Sequence, residues 1–184
     1  MKRAFIIHGW DGNPHDSWKP WLKKELEKRN FQVISPQMPG GEFPKLNEWI
    51  KTIHNIVGKP DKNTFFVGHS LGCIAIVRYL TALSSNIKIG GCVFIAGFSG
   101  NIGIPQISEF YSFPIEVEKA KIHTNNFTII HSDNDIDVPM EKAIEFKKQL
   151  NAKFILEHGM GHISESDGIK QLPSALKAIL MISQ

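Results

Sequence analysis

Short apolar runs, rich in β-branched and aromatic residues, alternate along the chain with longer stretches whose apolar positions recur every three or four residues. The runs Ala4–Ile7, Gln32–Ile34, Thr64–Val67, Gly91–Ile95, Phe127–Ile130 and Lys153–Leu156 predict six strands. Most are apolar throughout and do not alternate, the pattern of strands covered on both faces, as in a parallel sheet between helices. Helical spacing marks Trp18, Trp21, Leu22 and Leu26 near residues 18–29, and Leu46, Trp49, Ile50, Ile53 and Val57 near 45–57. Pro139 is expected at the first position of another helix, with Ala143, Phe146 and Leu150 on its apolar face, and Pro173 at the start of the last. Between Leu71 and Leu83 apolar residues surround nearly the whole circumference, so this helix is expected to be buried. Strand and helix alternating from end to end predict a single α/β domain over residues 1–184. It is a three-layer fold with about six mostly parallel strands and helices on both faces. In such sheets ligands bind beyond the carboxyl ends of the strands, so chemistry is to be sought just after each strand.

Composition narrows the classes of function. The 184 residues carry Lys+Arg 21 against Asp+Glu 18, a formal charge of +3, with 42% apolar residues. That is a globular composition with no basic cluster for nucleic acid: the densest basic stretch, Trp21 to Arg29, is interrupted by Glu25 and Glu27. No apolar run has the length of a membrane span. Two cysteines, Cys73 and Cys92, do not make a disulfide framework, so the expected location is the cytoplasm with both thiols reduced.

The strand at Thr64–Val67 runs into Gly68-His69-Ser70-Leu71-Gly72 and then into the buried helix. This is G-x-S-x-G in the strand–turn–helix setting that gives the motif its meaning. The turn is tight enough to exclude bulky neighbours. It lifts the Ser70 hydroxyl clear of the backbone at a helix N-terminus, where partial positive charge favours a developing anion. The Leu71 N–H points where an oxyanion would form. The bland alternative is a glycine-bounded turn with a capping serine.

A serine hydroxyl needs a base, and the base needs a third group to orient it. The chain order expected is serine, carboxylate, histidine. After Phe127–Ile130 come Asp133, Asp135 and Asp137; after Lys153–Leu156 come His158 and His162. Asp135 is preferred because its spacing to Val138-Pro139 is D-x-x-V-P ahead of a helix start. Asp133 is its main rival, and Asp137 could instead cap the helix. His162 is preferred as base because Gly159 and Gly161 let the loop present an imidazole at the sheet edge; His158 is the rival, or pairs with a carbonyl. The four-residue spacing of the two histidines suits a zinc pair only on a helix, which two glycines disfavour, so no metal and no cofactor are expected.

The first strand ends in His8-Gly9-Trp10, and the Trp10 N–H is the candidate second oxyanion donor. His69 is expected to shape the pocket. Phe98 and Phe110 are candidate substrate contacts, Phe110 lying in an irregular segment, Asn101–Thr124, whose apolar residues (Ile102, Ile104, Ile107, Tyr111, Phe113 and Ile115 among them) either wall the pocket or cover the sheet edge. Cys73, one turn past Ser70, is expected to pack as a small hydrophobe.

Together, His8-Gly9-Trp10, Trp18-Lys19-Pro20-Trp21-Leu22, Gly68-His69-Ser70-Leu71-Gly72-Cys73, Ala96-Gly97-Phe98, Asp135 to Pro139 and Gly161-His162 resemble the α/β-hydrolase superfamily. Within it the chain is similar to the small serine hydrolases of the retinoblastoma-binding protein nine and bacterial YdeN group. The resemblance covers essentially the whole chain. It implies a compact single-domain α/β hydrolase with no large lid and a Ser70–Asp135–His162 triad; the expected partner is a small-molecule acyl substrate, with no nucleic acid and no membrane. It does not carry over binding through an L-x-C-x-E motif, because Leu71-Gly72-Cys73-Ile74-Ala75 ends in alanine. Hydrolysis of small to medium esters is the expected activity. Acyl transfer or peptide cleavage by the same triad, or a catalytically weak binding module, are the alternatives, and oligomeric state is not legible.

Overall fold

The computed structural model describes residues 1–184. Six strands form one fully parallel sheet in the order β2-β1-β3-β4-β5-β6: β1 Lys2–Ile7, β2 Phe31–Ile34, β3 Thr64–His69, β4 Gly91–Ile95, β5 Phe127–Ser132 and β6 Lys153–Glu157. The apolar runs therefore located all six, and the structure extends five of them by one or two residues, mostly with polar or small side chains at the ends. Side chains leave each strand on alternate faces. Phe5, Ile7, Phe66, Cys92, Phe94 and Ile129 enter one core, and Ala4, Ile6, Phe65, Val67, Val93 and Ile95 enter the other. Both faces are dry, which is why these strands carry almost no polar alternation.

Helices α1 (Lys19–Glu27) and α6 (Pro173–Ile182) cover one face; α2 (Leu46–Val57), α3 (Leu71–Thr81) and α5 (Met140–Leu150) cover the other. α3 is buried at every position from Leu71 to Val77, as its unbroken apolar surface requires. Trp18 and Trp49 are fully buried anchors in opposite cores. Cys73 and Cys92 are buried free thiols, and burial pushes both up in pKa. No helix is long and apolar enough to cross a membrane.

Three details differ from expectation. Pro139 stands just outside α5, with an extended ψ of 142°, and Met140 is the first helical residue. The segment expected to be irregular contains a 3-10 helix at Pro105–Tyr111 and a short helix, α4, at Val117–Lys121. Phe98 and Phe110 are fully buried. Phe98 stacks on Tyr111 at 5.4 Å, and Phe110 packs edge-on against Trp49 at 5.4 Å. Both pack in the core and not in the cleft that Ser70 lines, contrary to their expected place as substrate contacts. The Arg78 guanidinium of α3 fastens this segment by donating to the carbonyls of Phe110, Phe113 and Pro114.

Chain direction across the sheet reverses between β1 and β3. The crevice this opens at their carboxyl ends is flanked by the loop after Ile7 and by the turn after His69.

Candidate active site

Ser70 adopts φ +50°, ψ −119°, a region a side chain rarely enters. Its neighbours over-determine it. The Ser70 N–H donates to Ile95 O at 2.9 Å, tying the turn to β4, and Cys73 N–H donates back to Ser70 O at 3.0 Å. A Cβ on Gly68 would stand 2.8 Å from Cys73 Cα, and one on Gly72 would stand 2.4 Å from Ile7 O and 2.6 Å from His8 O. The two glycines of the motif are thus required by backbone packing, one against α3 and one against the end of β1.

The β5–α5 loop holds Asp135 with its side chain fully buried. Asp135 Oδ1 accepts the N–H groups of Asp137 and Val138, each at 2.9 Å, and Oδ2 accepts from His162 Nδ1 at 2.9 Å. That acceptor fixes the tautomer: the proton sits on Nδ1 and the lone pair on Nε2. His162 and Ser70 line the same cleft, of about 310 Å³. No hydrogen bond joins Ser70 Oγ to His162; closing that contact is a step such sites commonly complete only with substrate bound.

Several contacts hold the His162 loop. His69 Nε2 donates to His162 O at 3.0 Å, and Trp18 Nε1 donates to Ile163 O at 2.9 Å. The N–H groups of Gly159, Met160 and Gly161 donate in turn to Asp133 Oδ1, Ser132 Oγ and Asn134 Oδ1. The histidine loop is therefore laced to the carboxylate loop through three consecutive amides. His69 lines the cleft, and burial, reinforced by His162 beside it, holds its pKa well below the imidazole range.

The rival residues form a separate unit. Asp133 Oδ2 pairs with His158 Nδ1 at 2.6 Å, at an exposed position, and the Gly159 N–H and His158 hold its carboxyl below the usual range. His158 thus pairs with a carboxylate, not with a carbonyl. Asp137 does not cap α5, which has no side-chain cap; it faces the cleft. Asp135, Asp137 and His162 offer ligand atoms within 4.8 Å of one another.

In the front loop, His8 Nε2 accepts from Met38 N–H at 2.8 Å while Nδ1 donates to Gly9 O at 2.7 Å, and burial lowers its pKa. His8 is consumed in structure. A Cβ on Gly9 would stand 3.0 Å from Ser70 Cβ, so glycine lets this loop reach the serine. The Trp10 N–H donates to no protein group, and Leu71, the first residue of α3, has no preceding helical carbonyl to bond. The Trp10 indole donates to Glu42 O at 2.9 Å, and Trp10 lines the cleft.

Ile102, Ile104 and Ile107 of the β4–α4 segment reach the cleft, whereas Tyr111, Phe113 and Ile115 border a separate hollow. Asp16, Lys19, Ser164, Glu165 and Ser166 also line the cleft and were not anticipated. One signal was available: Lys19 begins a helix whose first turn has no acidic residue, against the usual preference for negative charge there.

A strained serine on a β-strand-to-helix turn and an aspartate-held histidine on one cleft define the class. Residues 4–180 match the serine hydrolase family, and the chain belongs to that family. It is 32% identical to the YdeN protein of Bacillus subtilis (strain 168) over 174 residues, 94% of this chain and 91% of that one. It is 24% identical to the serine hydrolase RBBP9 of Rattus norvegicus over 183 residues, covering 97% and 95%. The crystal structure of the B. subtilis ydeN product superposes with a TM-score of 0.95 over 99% of this chain and 98% of that one, at 28% identity. Est1E of Butyrivibrio proteoclasticus with ferulic acid bound shares the fold alone, at 15% identity and a TM-score of 0.77 over 98% and 89% of the two chains. The α/β-hydrolase fold is thereby established.

Proposed function

We propose that this hydrolase cleaves small to medium carboxylic esters through an acyl-enzyme on Ser70. His162 Nε2 takes the Ser70 proton as Oγ attacks the acyl carbon, and then gives it to the leaving alcohol. Asp135 holds the imidazole and stabilises its cation. The Leu71 and Trp10 N–H groups receive the oxyanion. Water, activated by the same histidine, releases the acid. The observation that carries this reading is the 2.9 Å Asp135–His162 hydrogen bond, which leaves Nε2 bare on the cleft that Ser70 lines. The isoleucine wall and the modest cleft volume favour an apolar acyl group of limited length.

The test is labelling of the native protein by a fluorophosphonate, together with turnover of p-nitrophenyl esters of rising chain length. Labelling and turnover are expected, with both lost in Ser70→Ala. If Ser70→Ala hydrolysed these esters at the parent rate, the scheme would be wrong.

A further inference from the structure

The cleft lining mixes two chemistries: Ile102, Ile104, Ile107 and Val138 are apolar, whereas Lys19, Asp16 and Glu165 are charged. Lys19 is the unusual member. Its side chain is only 3% exposed, yet its ammonium has a single protein acceptor, Asp16. An ammonium carries three donors, so two N–H bonds lack a protein partner. Burying a charge with donors unused is costly, and a long flexible stem could swing it to water. The fold instead keeps it in the wall of the cleft, at a helix start that disfavours a cation.

The leaving oxygen of an ester must come within reach of His162 Nε2 to be protonated. Ser164, Glu165 and Ser166 follow His162 on its own loop and line the cleft together with Lys19, so polar groups adjoin in sequence the base that would protonate that oxygen. A carboxylate or phosphate on the alcohol would meet Asp16, Asp137 and Glu165 against one lysine. A plain alkyl alcohol would leave the Lys19 donors unmatched. A group with several hydroxyls accepts from Lys19 and donates to the carboxylates at once.

We propose that the cleft selects esters of polyhydroxylated alcohols, glycerol or a sugar, with Lys19 donating to a hydroxyl of the leaving alcohol. The proposal rests on the ester-hydrolase reading. In the reaction the Ser70 Oγ–acyl bond forms and the acyl–O bond to the polyol breaks. The serine proton passes through His162 to the polyol oxygen, and water then releases the acid.

The experiment compares kcat/KM for 1-butyrylglycerol, 6-O-butyrylglucose and ethyl butyrate. The expected result is a preference of about tenfold or more for at least one polyol ester, the scale of one hydrogen bond to a charged group. Which of the two is preferred tells glycerol from sugar. Lys19→Met should bring the polyol-to-ethyl ratio to within about threefold of one, and Lys19→Arg should restore most of it. Equal rates for all three esters on the parent protein, a measurement that needs no variant, would overturn the polyol proposal and leave the hydrolase reading standing. An unchanged ratio in Lys19→Met would overturn the role of Lys19. No turnover of any ester would overturn both readings together.

Discussion

Replacing Gly72 by alanine sets two effects of opposite sign against each other. Alanine is the better helix former by about 1 kcal/mol, so on propensity alone Gly72→Ala stabilises α3. Packing opposes it: the added methyl would sit 2.4 Å from Ile7 O and 2.6 Å from His8 O, about 1 Å inside ordinary contact with both. Neither atom can rotate away. Ile7 pairs with Gly68 across the β1–β3 ladder, so moving its carbonyl strains the sheet at the nucleophile turn. Overpacking of this kind costs about 1–3 kcal/mol, which leaves a net loss of up to about 2 kcal/mol after the helix gain. The backbone that must yield leads directly into Gly9 and Trp10, and a displacement of about 1 Å at a reacting centre is worth about a hundredfold in rate. Urea denaturation should therefore show a lower midpoint, and fluorophosphonate labelling of the folded fraction should slow by one to two orders of magnitude. A variant at least as stable as the parent, labelled at the parent rate, would refute the claim that packing against the end of β1 requires glycine at this position.

Asp135→Asn keeps the shape of the loop but exchanges the carboxylate that fixes the Nδ1–H tautomer of His162 for a neutral amide. We expect kcat to fall by about 10³–10⁴ with little change in KM, by steady-state kinetics on a p-nitrophenyl ester. A loss below tenfold would show that His162 is oriented without it. A second expectation concerns pH. Burial lowers the pKa of His8, His69 and His131 in the folded protein, so at mildly acidic pH the unfolded chain binds protons that the folded protein does not. Their contribution to stability is complete above the ordinary imidazole pKa of about 6.5 and is lost as pH falls below it. The urea midpoint should decline between pH 7.5 and 5, a window above the titration of the lowered carboxyls Asp133 and Glu165. A flat midpoint across that interval would contradict it.

The sheet was legible because a strand dry on both faces has no polar positions to interrupt its run, and the helices because their stripes face one core each. The nucleophile turn was legible because its glycines answer to steric limits that leave a residue pattern. The choice between Asp135 and Asp133 was less so: both lie in one loop, and only the folded chain shows Asp133 engaged with His158 at the surface. Residues 101–124 were hardest. Aromatic content says that a segment will be buried but not against what; Phe110 went to the core while three isoleucines reached the cleft. Lys19, one lysine among several near α1, carried no spacing that separated it from a solvated helix face.

The three amides at Gly159, Met160 and Gly161, fastened to Ser132, Asp133 and Asn134, make the loops that carry Asp135 and His162 a single mechanical block. Grafting either loop alone from another hydrolase would strip the partners from the one left behind. The chemistry can be exchanged between scaffolds only when both are carried across as a matched set.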